Sequence, residues 1–226
     1  MIPWQHLGTA EIPGDAGQLR LMRRGAEFSI MLGQNELMNS RLSGSEQALA
    51  TLSWDKLGPK AAPRVLIGGL GMGFTLRAAL EILPQDAQIV VVELVSGVVA
   101  WARNEMTEVF KGSLEDPRVT ILEQDVGAVI NAKPKDYDII LLDVDNGPDG
   151  LTRASNDRLY QRPGLAAARN ALRPGGVLAI WSSGPDPSFT QRLRKTGFDV
   201  QETTVRANGK RGGARHMIWL ASKPAH

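Results

Sequence analysis

The chain has 226 residues, 42% hydrophobic and 22% charged, which fits one ordinary globular domain with a full core. It has no cysteine, which excludes disulfides and thiolate metal sites, and its histidines, His6, His216 and His226, lack ligand spacing, so no metal is expected. A formal charge of +2 is too mild to imply a nucleic-acid partner, no segment reaches the roughly 18 apolar residues of a membrane span, and the start MIPWQHLGTAEIPG is not leader-like, so a soluble cytoplasmic protein is expected.

In chain order, Gln18 to Arg23 and Phe28 to Leu32 read as two antiparallel strands around Arg24-Gly25, with Phe28, Ile30 and Leu32 on one face. Ser43 with Glu46 three residues on has the form of a capping box, opening a helix that runs to the Gly58-Pro59 stop. Strand and helix then alternate: strand from Val65, helix Phe74 to Leu83, strand Ile89 to Glu93, helix Gly97 to Phe110 and strand Val119 to Glu123. Strand Tyr137 to Asp143, helix Pro163 to Leu172, strand Val177 to Trp181 and helix Asp186 to Thr196 follow. Val200 to Val205 and His216 to Ala221, with no helix between them, close the chain as an antiparallel hairpin. Such alternation predicts a largely parallel sheet covered on both faces. The expected division is an N-terminal hairpin extension, 1–42, and a body, 43–226.

The most specific signal is VLIGGLGMGF, Val65 to Phe74, followed by QIVVVE, Gln88 to Glu93. An apolar run reads as a buried strand, the glycines let the backbone approach a ligand, and the helix after them points free N–H groups at it. Glu93 lies twenty residues past Gly73, at the tip of the next strand, where a carboxylate accepts ribose hydroxyls. Gly69, Gly71 and Gly73 give G-x-G-x-G, whereas the dinucleotide pattern G-x-G-x-x-G needs glycine where Phe74 stands. That disfavours a nicotinamide or flavin cofactor.

Strand-helix units closed by an antiparallel hairpin, together with the glycine and acid signals, resemble the Rossmann-like class I methyltransferase fold. The fold implied is α/β, with a mostly parallel seven-stranded sheet, a C-terminal antiparallel hairpin and a small N-terminal β-hairpin. Within it the chain resembles the spermidine synthase family, through MLGQNELMNSRLSGSEQAL, IGGLGMG, VVVEL, DPRVTILEQDV, YDIILLDVDNGPDG and LYQRPGLAAARNALRPGG. The resemblance implies an S-adenosylmethionine or decarboxylated S-adenosylmethionine site. Glu93 and Leu94 would meet the ribose side, Gly69, Gly71 and Gly73 the methionine-like portion, and Asp125 with Val126 the adenine. For Asp125 a cap on the following helix is an equally compatible reading.

Asp143, closing the strand Ile139 to Leu142 at the ligand edge of the sheet, is the candidate for chemistry. The family's Asp at this point holds and deprotonates the attacking amine. A carboxylate with pKa about 4 is a poor base for an ammonium of about 10, so Asp143 is expected chiefly to orient the amine, with Asp145 and Asn146 alongside. Glu46, Trp181 and Arg41 are further substrate-side candidates. For Glu46 the capping box competes, for Trp181 core packing competes as it does for Tyr160, and for Arg41 the choice is between holding an anion and plain solvation. The basic loop Lys210 to His216 reads first as a solvated hairpin tip.

Two departures from the family pattern bear on the reaction. The family's acidic glycine-loop residue falls on Gly71, which removes a charge that repels the carboxylate of intact S-adenosylmethionine. Its Tyr-His-Glu segment falls on Gly44-Ser45-Glu46. These departures favour methyl transfer to a small-molecule acceptor over aminopropyl transfer, with a non-catalytic cofactor-binding or RNA-associated protein as the reading from a different class. A homodimer is a family-level expectation.

Overall fold

The computed structural model describes residues 2–144, 158–209 and 212–225. Four strands open the chain, β1 (Gln5–Glu11), β2 (Gln18–Arg24), β3 (Glu27–Leu32) and β4 (Asn35–Asn39), forming an antiparallel sheet in sequence order. The expected hairpin is its middle, with Leu21 opposite Ile30 and Leu19 opposite Leu32. The two outer strands escape the apolar pattern because β1 buries little beyond Ala10 and β4 (NELMN) is nowhere fully buried.

After α1 (Gly44–Leu57) the body alternates β5 (Arg64–Gly68), α2 (Phe74–Ile82), β6 (Gln88–Glu93), α3 (Ser96–Arg103), α4 (Thr107–Phe110), β7 (Val119–Glu123) and α5 (Val126–Ala132). Then come β8 (Tyr137–Leu142), α6 (Arg162–Ala171), β9 (Leu172–Ser182), α7 (Pro187–Lys195), β10 (Asp199–Arg206) and β11 (Arg215–Ser222). The seven-stranded sheet has the order β10-β11-β9-β8-β5-β6-β7, parallel from β9 to β7, with β11 antiparallel between β9 and β10. The covered, mostly parallel sheet is the one expected from the alternation, and its α/β plan is the class I methyltransferase-like one that the resemblance implied.

The helix expected over Gly97 to Phe110 is broken at Asn104. Its side-chain amide donates to the Ala100 carbonyl, and the chain turns so that Met106 and Phe110 face inward, both buried. Strand β9 starts earlier than expected, because Leu172 already pairs with Tyr137 before a bulge over Arg173 to Gly176. The small sheet is fused to the body through glycine. A Cβ on Gly8 would strike the Trp101 ring of α3, and one on Gly97 would strike Ala10. Leu21, Phe28 and Ile30 therefore share one apolar cluster with Val98 and Trp101, and β4 is held over the ligand edge of the large sheet.

Candidate active site

Strand order reverses between β5 and β8, and in open α/β sheets the crevice beyond such a reversal takes the ligand. Gly69 sits on that crevice with φ +91°, and a Cβ there would meet the Asp143 carbonyl at 2.5 Å. Only glycine lets the two strand tips come so close. Gly73 caps α2 at φ +72°, with the Phe110 ring filling the space a Cβ would need.

Two cavities open along this edge. The first is lined by Gly69, Gly71, Glu93, Leu94, Asp125, Val126 and Asp143, and by Leu32, Leu37 and Met38 from the small sheet. Glu93 is locked from two loops: Oε2 accepts from Leu70 N–H of the glycine loop after β5 and Oε1 from Val95 N–H after β6, both at 2.9 Å. Burial pushes its pKa above the usual carboxylate range, opposed by those backbone donors. The backbone donors aim the carboxylate along the wall of the first cavity. Asp125 caps α5, its Oδ1 accepting from Ala128 N–H at 2.9 Å, and it also lines the cavity.

The second cavity is lined by Leu37, Met38, Asn39, Glu46, Gly71, Gly73, Phe74, Asp143 and Trp181 among others. The cavities share Leu37, Met38, Gly71 and Asp143. Asp143 is thus at their junction. Thr75 Oγ1 donates to Asp143 Oδ2 at 2.9 Å. Burial, reinforced by the charge of Glu46, pushes the Asp143 carboxyl up to about 7, and burial also raises Glu46. No lysine or arginine lines either cavity among the described residues.

Two sequence expectations change here. The capping box does not form: Ser43 makes no cap bond, and Glu46 Oε2 accepts from the Ser45 hydroxyl at 2.7 Å while the residue lines the second cavity. Arg41 does not reach either cavity, because its guanidinium donates to Glu36 at 2.8 and 3.1 Å and pairs with Glu27 at 3.4 Å. The hairpin between β3 and β4 brings those two acids to it, a proximity that sequence distance hides. Trp181 walls the second cavity. Tyr160, in contrast, is buried, with its ring edge-on to Phe189 and its hydroxyl donating to the Val144 carbonyl. Asp145, Asn146, Lys210 and Arg211 lie outside the described residues.

Sequence reading also missed Leu37, Met38, Thr75 and Ser45. Met38 Sδ stands 3.3 Å from where a Gly71 Cβ would begin, so the place of the missing acid is partly filled by a thioether.

Residues 56–193 match the spermine/spermidine synthase domain. Polyamine aminopropyltransferase 2 of Pseudomonas aeruginosa is 34% identical over 120 residues, 51% of this chain and 32% of that protein. The polyamine aminopropyltransferase of Mycobacterium tuberculosis is 34% identical over 150 residues, 62% of this chain and 27% of that protein. The chain therefore spans about a third or less of the length of these curated relatives. Among solved structures, spermidine synthase from Thermotoga maritima superposes with a TM-score of 0.75 over 98% of this chain and 74% of its own, at 18% identity. A spermidine synthase in complex with the transition-state analogue AdoDATO does so with a TM-score of 0.75, over 98% and 73%, at 19% identity.

Proposed function

The chain belongs to the spermine/spermidine synthase family, and on that premise we propose that it transfers the aminopropyl group of decarboxylated S-adenosylmethionine to a small amine. One observation carries this reading: two neighbouring carboxylates, Glu46 and Asp143, face a cavity without a lining cation among the described residues, adjoining the nucleoside cavity through Asp143. Their mutual repulsion is relieved by a cationic ligand. An ammonium acceptor and the ammonium of a decarboxylated cofactor both supply that charge.

The reaction is a displacement at carbon. The acceptor nitrogen attacks the aminopropyl carbon next to the sulfonium, an N–C bond forms, the C–S bond breaks, and methylthioadenosine leaves with the bonding pair on sulfur. The protein has to align nitrogen, carbon and sulfur and receive the proton the nitrogen loses. Asp143 orients the amine at the junction, and a carboxyl group held near 7 is better matched to a proton than one at its ordinary value.

Methyl transfer from the intact cofactor, which the sequence alone favoured, loses its support in the pocket. Glycine at position 71 removes a repelling acid, but Met38 partly fills its place and the cation that would hold the cofactor carboxylate, Arg41, is engaged with Glu36 and Glu27. A carboxylate roughly 5 Å from an ionised acid at an effective dielectric near 20 is repelled by about 3 kcal/mol. Calorimetric titration tests the choice directly. Decarboxylated S-adenosylmethionine is expected to bind at least about ten-fold tighter than the intact cofactor, and equal or tighter binding of the intact form would overturn the proposal.

A further inference from the structure

The second cavity does not end at Glu46. Behind it, Ser45 is buried at the start of α1, its hydroxyl 2.7 Å from Glu46 Oε2 and 2.9 Å from Nδ1 of His216 on β11. The contact spans 171 residues of sequence and is built into the fold. Gly44 N–H donates to the Ala207 carbonyl at 2.9 Å, and a Cβ on Gly44 would drive into the Gly209 backbone, so the tip of the β10–β11 hairpin is seated on the first turn of α1. Trp181 clamps the ring from β9, edge-on, with centroids 4.7 Å apart. Opposite it on β10 stands Val205, while Arg215 and its partner Arg206 are exposed. Burial lowers the imidazole below its ordinary value.

We propose that His216, acting through the Ser45 hydroxyl, is the distal proton acceptor for the Glu46 and Asp143 pair, a positioning residue that returns the pair to its charged form during amine transfer. This rests on the reading of the second cavity as an amine site. The steps balance as a relay. An N–H bond of the acceptor breaks and an O–H bond forms on Glu46. Protonation of Glu46 turns the Ser45 hydroxyl from Oε2 toward Nδ1, and Glu46 then passes its proton to Ser45 Oγ as the Ser45 hydroxyl proton moves to Nδ1. Ser45 ends with one proton as it began, Glu46 is again a carboxylate, and a neutral imidazole carrying its proton on Nε2 becomes an imidazolium. The half-exposed ring releases its extra proton to water.

With only three histidines in the chain, the His216 imidazole can be followed by nitrogen NMR and assigned by its loss in His216→Asn. Removing the Glu46 charge with Glu46→Gln is expected to lower the His216 titration midpoint by at least about half a pH unit. A midpoint unchanged within about 0.1 unit overturns the proposal. His216→Asn keeps a hydrogen-bonding atom near the Nδ1 position but binds no proton. With decarboxylated S-adenosylmethionine and putrescine as probes it is expected to lower kcat about ten-fold, leave KM and cofactor affinity unchanged, and move the acid limb of the pH profile. A wild-type rate and profile in that variant overturn the proposal. Should the variant lose cofactor affinity through misfolding, or should the wild-type protein transfer nothing to putrescine, the NMR coupling of His216 to Glu46 decides alone. The second outcome would count against the functional reading separately.

Discussion

The two halves of the crevice are built in different ways. The first cavity takes one wall from three consecutive strand tips, with Gly69 after β5, Glu93 ending β6 and Asp125 after β7. They are fixed by backbone bonds within and between these adjacent loops, as Leu70 after β5 and Val95 after β6 fix Glu93 and Ala128 fixes Asp125. The second cavity is assembled from distant pieces, with Met38 on β4, Glu46 on α1, Asp143 after β8 and Trp181 on β9. A locally built half tolerates drift elsewhere in the chain. The half assembled from distant pieces changes whenever any of them moves.

Substitutions that strike one half and spare the other sharpen this contrast. The largest effect is expected from Asp143→Asn, which should cut turnover by orders of magnitude while cofactor affinity stays within a few-fold; equal loss of both, by kinetics and calorimetry, would make Asp143 a cofactor or structural residue. The same group sets a pH dependence. Its folded pKa of about 7 lies above the unfolded value of 3.8, so the folded chain binds the extra proton between those values. Stability contributed by this group is therefore full below the unfolded value and lost as pH rises through about 7. Asp143→Asn should raise the melting temperature at pH 8 by about a few degrees relative to its effect at pH 5, and wild-type activity should fall as pH drops through 7.

Glu93→Ala is the complementary test. Loss of two hydrogen bonds to a charged acceptor, each about 1.5 to 3 kcal/mol, should weaken cofactor binding on the order of 100-fold or more, with a smaller change in kcat at saturating cofactor. A selective loss of kcat would contradict the assignment of halves. The smallest effect is expected from Arg41→Met. The guanidinium holds only partly exposed partners, Glu36 and Glu27, and such pairs are worth about 0 to 1 kcal/mol. Kinetic constants should stay within about two-fold, and a large rise in acceptor KM would return Arg41 to the pocket.

The same contrast explains what the sequence made legible. An apolar run, a glycine turn and an acid at the next strand tip are neighbours in sequence because they are neighbours in space, so Gly69, Glu93 and Asp125 could be placed without coordinates. The parallel body followed from alternation for the same reason. Ser43 and Glu46 misled because the spacing of a capping box is also the spacing that leaves Glu46 facing a cavity. The contact of Ser45 with His216 depends on the hairpin tip landing on α1, which no local pattern announces. The strands β1 and β4 were missed because their outer positions bury too little apolar surface to alternate.

The central claim, transfer of an aminopropyl group at the Asp143 junction, is most directly tested by mass spectrometry of the products formed from intact and decarboxylated S-adenosylmethionine, each with a panel of short diamines. The expected products are methylthioadenosine and an aminopropylated diamine, from the decarboxylated cofactor only. Formation of S-adenosylhomocysteine and a methylated amine from the intact cofactor, with no transfer from the decarboxylated one, would contradict it.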